Sequence, residues 1–422
     1  MSYWFTDPRL KTLIPLASAS AIRGLSTSFS VPKIFMGFNA LNEVPGLAAS
    51  AFDILATLCA NKQAFIVTDE HARRYATRVS NVLQRTGFKT QTWDKAQPEA
   101  PLENVKECAE AMKQFEPDAI VAVGGGSVID TAKAAWILYE RPDITDLSMV
   151  SPLLSLGLRK KAVLVAIPTT SGTGSDCTAV SVVTDTEAKR KIPIVAAELM
   201  PDFSVLVPAF VTGMPPRLTA GTGLDALAHS IDNVMSPMTN DFTDALALRA
   251  IQMIFKYLPR AYHDGNDHEA RLRMHMAASM AGIAFGNGGV ALTHSMGHSL
   301  GKLFAVHHGV AVGVFITYAL QYYCPITDKY LDICDALDVR GKSSDKRLAD
   351  LIKKIRTLFQ ELDVPLNIKG LGISEQDFGK NLDKLTLYSV EDPSVFQSPR
   401  PVTWEQCQRI LHYAYEGKDI DF

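Results

Sequence analysis

Four of the ten histidines crowd one stretch, LTHSMGHSLGKLFAVHHG, at His294, His298, His307 and His308. A packed core has little use for imidazoles, and a solvated face would not interleave them with Leu, Met, Phe and Val. His294 and His298 are four residues apart, so in a helix they share one face. Asp225 and His229, in GTGLDALAHSID, repeat that spacing. A carboxylate with several imidazoles is a ligand shell for a divalent transition metal. If three imidazoles and a carboxylate bind one ion, a position can stay open for a substrate oxygen, and the ion then acts as a Lewis acid on a carbonyl or alkoxide. His263, His268, His275 and His412 stand among charged or amphipathic residues and read as surface or structural.

A second chemistry precedes the histidines. DAIVAVGGGSVIDTAKAAW sets Gly124, Gly125, Gly126 and Ser127 between an expected strand and an expected helix. Backbone N–H groups at a helix start bind phosphate, and glycine lets the phosphate come close. The alternative is a tight strand–helix turn. The standard dinucleotide fingerprint is absent. PTTSGTGSD, after another strand, offers Thr169, Thr170, Ser171, Thr173 and Ser175 as hydroxyl partners, or is only a Ser/Thr-rich turn. Asp69 closes the strand FIVTD; it can hydrogen-bond a ribose 2′-OH and repel a 2′-phosphate, or simply cap the next helix. A dinucleotide crevice combined with a metal suggests hydride transfer.

The elements that must position these residues fall into two halves. Up to about residue 210 short apolar runs such as QAFIVTDE and AVLVAIP, with TQTWD as a further candidate strand, alternate with helical patterns such as PLENVKECAEAMKQFEP, which implies βαβ units and a parallel sheet. Beyond the VTGMPPR turn at 211–217 the patterns are long and helical, as in DFTDALALRAIQMIFKYLPRAYH and SDKRLADLIKKIRTLFQELD. The expected organisation is an α/β dinucleotide-binding domain over 1–210, with an N-terminal extension over 1–30, and an all-helical metal-binding, catalytic domain over 211–422. The extension does not start as a secretory signal; its Ser-rich stretch with Lys and Arg weakly resembles a transit peptide, in a composition common to ordinary extensions. A net charge of -3 gives no footprint for nucleic acid or an anionic membrane, and no apolar run reaches a membrane span. Six scattered cysteines without a CxxC pair read as thiols of a reducing compartment, so a cytoplasmic location is expected.

Taken together, GGGSVIDTAK, PTTSGTGSD, GLDALAHSID and HSMGHSLGKLFAVHHG resemble the iron-containing (group III) alcohol dehydrogenase family, and most closely the alcohol dehydrogenase half of bifunctional aldehyde–alcohol dehydrogenases. The resemblance implies a Rossmann-like N-terminal domain and a helical C-terminal domain, dehydroquinate synthase-like, with the active site between them. It implies Asp225, His229, His294 and His308 as metal ligands, and His298 as a proton-relay residue near the nicotinamide. It implies cofactor contacts from Asp69, Gly125, Gly126, Ser127, Thr169, Thr170, Thr173, Thr178 and Lys191. His307 stands where proline is common. The chain departs from the family pattern at Asp176 and Asp232, where Glu is usual, at Gly313, where Asn is common, in SVLVP, which lacks the usual Asp-Pro, and in the glycine-rich FGNGG around Phe285.

The expected activity is therefore a metal-dependent, NAD(H)-linked alcohol dehydrogenase or aldehyde reductase for small primary alcohols and aldehydes. Fe²⁺ is the expected ion, with Zn²⁺ the alternative, and a homodimer or higher homo-oligomer the expected assembly. Competing readings are a zinc-type polyol or glycerol dehydrogenase, a lyase resembling dehydroquinate synthase, and a metal- or nucleotide-binding protein without turnover. The set of three histidines plus Asp argues against the first two.

Overall fold

The structure is a computed structural model that describes residues 3–7, 29–43, 50–150, 152, 154–188 and 190–422. Most of the extension expected over 1–30 lies outside the described residues. The chain divides into two compact units: Ser30–Gly213 with Tyr3 and Trp4, and Met214–Phe422 with Phe29 and residues 5–7.

The described strands of the first unit are β1 (Lys33–Met36), β2 (Gln63–Thr68), β3 (Lys89–Trp93), β4 (Ala119–Gly124), β5 (Val163–Pro168), β6 (Val180–Asp185), β7 (Arg190–Val195) and β8 (Phe203–Leu206). Six of them form a parallel sheet in the order β1-β8-β5-β4-β2-β3. Helices α1 (Ala51–Leu58), α2 (Arg73–Arg85), α3 (Leu102–Phe115) and α4 (Gly126–Glu140) alternate with the strands. β4 is buried along its whole length, which is why it reads as an unbroken apolar run. Helix α2 buries Tyr75, Ala76, Val79, Val82 and Leu83, a single stripe at helical spacing. β3 lies on one side of β2 and β4 on the other, so the strand order reverses at β2/β4, the kind of place where open α/β sheets bind ligands beyond their carboxyl ends. The register pairs Thr68 with Val123 and Gly124 with Pro168. Asp69, the glycine loop and the Thr-rich loop thus leave neighbouring strands at one edge.

Three strand features were not expected. β1 and β8 are four residues each, too short to show a period. β6 and β7 form a separate two-stranded antiparallel sheet. β7 contains Pro193, which argues against a strand except at an edge, and β7 is one.

Helix α4 links the two loops. It is largely apolar and buried from Val128 to its end, with Asp130, Lys133 and Glu140 as its charged residues. Lys133 is fully buried, and its Nζ donates to the carbonyls of Ser175 (2.6 Å), Thr178 (2.7 Å) and Val180 (2.8 Å). Asp130 accepts from Ser175 Oγ at 2.6 Å and from Val182 N–H at 3.1 Å. Burial pushes the Lys133 ammonium down to about 8, against the pull of Asp130 and Asp176. Burial also pushes Asp130 up, against Lys133 and Ser175. The helix that opens on the glycine loop therefore grips the segment that follows β5.

The described regular elements of the second unit are all helices, the α-helices being α5 (Pro216–Met235), α6 (Asp241–His263), α7 (His268–Gly288), α8 (Leu292–Phe304), α9 (His308–Tyr323), α10 (Tyr330–Ala336), α11 (Ser344–Glu361), α12 (Glu375–Glu391) and α13 (Trp404–Glu416). Side-chain caps at Asn240, Ser343, Ser374 and Thr403 start α6, α11, α12 and α13 by satisfying exposed first-turn N–H groups. Helix α5 is buried from Thr219 to Met235, so its polar side chains must find partners inside the protein.

Lys133→Met removes the buried cation and leaves three carbonyls and Asp130 without it. Breaking such a buried arrangement costs about 3–5 kcal/mol. The thermal midpoint should fall by on the order of 10 °C, as read by calorimetry. A midpoint within about 2 °C of the native protein would mean that the loop does not depend on Lys133.

Candidate metal centre and cofactor loops

Asp225 and His229 lie on buried α5, and His294 on α8. They are 2%, 5% and 2% exposed. One donor atom from each lies within 4.8 Å of the others. His308, the first residue of α9, brings its Nε2 to 3.3 Å from Asp225 Oδ1, and is the most exposed of the four. A close helix crossing makes this possible. A Cβ on Gly309 would overlap the carbonyl oxygen of Gly221, so the pair His308-Gly309 lets α9 rest on the backbone of α5 beside Asp225.

The electrostatics match metal ligation. Burial alone would push the Asp225 carboxyl up, but His229, His308 and His294 outweigh it and hold it well below the usual carboxylate range. Burial pushes His229 down to about 3, against the pull of Asp225. At neutral pH the centre thus presents a carboxylate and an unprotonated imidazole, the forms a metal requires. Asp225 Oδ1 and His294 Nε2 are buried with no hydrogen-bond partner among the described residues, and His229 brings its Nε2 to 3.8 Å from the same Asp225 oxygen. Unpaired buried polar atoms are costly, and a divalent cation would satisfy such a set. The residues fit the ion that the resemblance implies.

His294 is oriented from behind. Its Nδ1 lies 2.8 Å from Asp232 Oδ2, so the ring donates there and leaves the Nε2 lone pair facing Asp225. Asp232 also accepts from the Ala291 N–H at 2.9 Å and from the Thr293 hydroxyl. The departure from Glu at this position is therefore a shorter carboxylate that still reaches the ring and the start of α8. His229 is sandwiched between the His294 ring (4.5 Å between centroids) and Phe285 (4.1 Å). Phe285 thus packs on a metal-ligand candidate. In the glycine-rich segment beside it, the Val290 N–H donates to Gln397 Oε1 at 2.8 Å.

His298 has a different partner. Its Nδ1 lies 2.9 Å from Asp392 Oδ2, and its ring stacks on His308 at 5.2 Å. Asp392 caps a short helical turn, accepting from the Ser394 N–H at 2.9 Å. Burial works to raise the Asp392 carboxyl, but His298 and Ser394 outweigh it and hold it low. His307 is exposed at the start of α9 with its ring against Gly221. Asp392 escaped the sequence reading. Its only signal is an Asp before a Pro, common to many turns. Asp130 and Lys133 left a clearer one: opposite charges three residues apart in a largely apolar helix.

In the first unit the glycine and threonine loops pack on each other. Thr169 N–H donates to Gly124 O at 2.9 Å, and a Cβ on Gly126 would come within 2.8 Å of Thr173 Cγ2. Helix α4 has no side-chain cap at Gly125, which leaves its first-turn N–H groups available to an anion. Ser127 Oγ accepts from the Glu99 N–H at 3.0 Å. Asp69 Oδ1 accepts from the Ala72 N–H at 2.7 Å, so it does cap the following turn while standing at the carboxyl end of β2. Thr178 is 1% exposed, with its hydroxyl 3.3 Å from Lys133 Nζ, and faces the loop's interior. Lys191, on β7, is close enough to act on the Asp130 charge. Asp176 accepts from Ser204 Oγ at 2.7 Å, tying the loop to β8.

Two family models match this chain: "Iron-containing alcohol dehydrogenase" over residues 32–208 and "Fe-containing alcohol dehydrogenase family, C-terminal" over 219–415. The chain belongs to the iron-containing alcohol dehydrogenase family. It is 35% identical over 349 residues to the NADPH-dependent butanol dehydrogenase of Clostridium saccharobutylicum, covering 82% of this chain and 89% of that one. It is 33% identical over 388 residues to the bifunctional aldehyde–alcohol dehydrogenase of Escherichia coli strain K12, covering 85% of this chain but 44% of that protein. The chain thus spans less than half the length of the bifunctional relatives. Among solved structures, an alcohol dehydrogenase from Oenococcus oeni matches with a TM-score of 0.85 at 27% identity, over 92% of this chain and all of that one. Enzymes of this family interconvert alcohols and carbonyl compounds.

Asp232→Asn keeps the shape of the side chain behind His294 but removes its charge. Affinity for Fe²⁺ or Zn²⁺ should fall about 10–100-fold, the usual effect of losing such an outer partner. Competition with a chelator measures it. Native affinity in this variant would show that Asp232 only starts α8.

Proposed function

We propose that this chain is an NAD(H)-linked, Fe²⁺-dependent alcohol dehydrogenase or aldehyde reductase acting on small primary alcohols and aldehydes. The observation that carries it is the buried group of Asp225, His229 and His294, with His294 turned by Asp232 so that Nε2 joins the other donors. Three imidazoles and a carboxylate suit Fe²⁺ and also Zn²⁺, and the family description favours iron. When bound, the ion polarises a carbonyl oxygen and a reduced nicotinamide supplies hydride to the carbonyl carbon.

The chain's own residues do the rest. Asp225, His229, His294 and His308 would hold the ion. The N–H groups of Gly126 and Ser127 at the start of α4 would receive the pyrophosphate, with Gly125 allowing close approach and Thr169, Thr170 and Thr173 lining the same edge. Thr178 would contribute through the loop that its hydroxyl helps to hold. In alcohol oxidation the hydroxyl proton would pass to His298 Nε2, whose other nitrogen is held by Asp392. Asp69 supports NAD(H) over NADP(H), since its carboxylate would face a 2′-phosphate with like charge. The Clostridium relative is named for NADPH, so this preference is a property to be measured. Six free cysteines support a reducing, cytoplasmic setting, and among the described residues no helix is long and apolar enough to cross a membrane. A homodimer or higher homo-oligomer is proposed as its assembly.

Metal-free protein reconstituted with Fe²⁺ should oxidise NADH in the presence of a short aldehyde, and more slowly or not at all with Zn²⁺. No turnover with any short aldehyde or alcohol would leave a binding protein. His298→Gln should lower kcat by roughly 10²-fold, the scale of a lost acid–base group, and keep native metal content. A metal-free variant would instead make His298 a ligand. The ratio of kcat/KM for NADH over NADPH should exceed one and collapse in Asp69→Gly; equal values in the native enzyme would remove the role given to Asp69.

A further inference from the structure

The two-stranded sheet β6–β7 carries Lys191, and two strands alone are marginally stable in water. Its supports are therefore informative. Helix α4 holds β6: Ser181 Oγ donates to Asp130 O at 2.9 Å and Lys133 Nζ to Val180 O at 2.8 Å. The turn before α3 holds the far end of β6, where the Thr184 N–H donates to Ala100 O at 3.0 Å and Thr184 Oγ1 to Glu99 O at 2.7 Å. The Glu99 N–H in turn donates to Ser127 Oγ in the glycine loop.

The chain's first described residues hold β7. Trp4 Nε1 donates to Pro193 O at 2.8 Å. Tyr3 Oη donates to Asp185 Oδ2 at 3.1 Å, at the end of β6 where the hairpin turns. The Arg190 guanidinium lies 4.9 Å from the centre of the Tyr3 ring, a cation–π contact. Tyr3 and Trp4 are only 6% and 3% exposed. Arg190 and Pro193 bracket Lys191, so the contacts of Tyr3 and Trp4 fall on either side of it along the strand. A long flexible lysine places its charge only as well as its backbone is placed.

We infer that Tyr3 and Trp4 are positioning residues for Lys191: an aromatic strap that fixes β7 so that the ammonium meets the nucleotide. This rests on the reading of Lys191 as a cofactor contact and reaches beyond it, to a segment outside the 32–208 family match. The contacts of Tyr3 and Trp4 described above fall on β6 and β7. Loss of the strap should therefore change nucleotide affinity while sparing metal content and turnover at saturating NADH.

Trp4→Phe keeps a buried ring and removes the N–H, and Tyr3→Phe keeps the ring and removes the O–H. NADH binding to the metal-loaded full chain is followed by nucleotide fluorescence. Lys191→Ala should raise Kd about tenfold or more, the effect of losing a hydrogen bond from a charged group. Tyr3→Phe with Trp4→Phe should raise it about three- to tenfold, part of that same contact, with kcat and metal content as in the native enzyme. In a Lys191→Ala background the two Phe substitutions should add nothing, because their effect runs through Lys191. A general loosening of the fold would persist in that background, and persistence overturns the inference. So does a native Kd in the Tyr3→Phe, Trp4→Phe variant while Lys191→Ala is weakened. A native Kd in Lys191→Ala alone overturns the cofactor reading beneath it, and the strap with it.

Discussion

The Asp225 carboxylate is 2% exposed, so burial works against its charge. An anion in such a place needs a compensating positive charge, and the unprotonated His229 cannot provide one. Much of the second unit follows from this constraint. Helix α5 must be buried to place Asp225 and His229 inside. The Gly221–Gly309 contact lets α9 approach α5 closely enough for His308 to reach Asp225 Oδ1. Asp232 turns His294 toward the same oxygen. Each of these choices costs stability in the bare protein and is offset when a cation sits among the donors.

The first unit solves a different problem with a similar device. Its two donor-rich loops leave adjacent strands and must hold one shape for a ligand to bind both. Lys133 and Asp130, one turn inside α4, bind the backbone of the second loop and so couple it to the helix that begins at the first. Opposite buried charges satisfy many backbone groups at once and leave little freedom to the loop. The short Asp at 176 does related work at the loop's other side, where Ser204 donates to it.

What could be read from the sequence was whatever has a period or a residue type tied to its chemistry. The buried strands β2, β4 and β5 and the long helices α6, α7 and α11 show themselves by apolar spacing. The Asp225/His229 and His294/His298 pairs show themselves by a separation of four. Strands β1 and β8 have no room for a period, and Pro193 disguises β7. The roles of Asp232 and Asp392 depend on contacts across 62 and 94 residues, which no local pattern can display. Asp69 illustrates a false choice, because it caps a turn while standing at the strand end where a ribose-reading acid would stand.

The central claim is that Asp225, His229, His294 and His308 form one coordination shell. X-ray absorption at the iron edge of anaerobically reconstituted protein tests it most directly, because the fine structure counts imidazole rings around the ion. The account predicts one Fe²⁺ per chain with about three imidazoles at roughly 2.0–2.2 Å and light oxygen donors completing the shell. A shell with one imidazole or none, or with sulfur scattering, would contradict it.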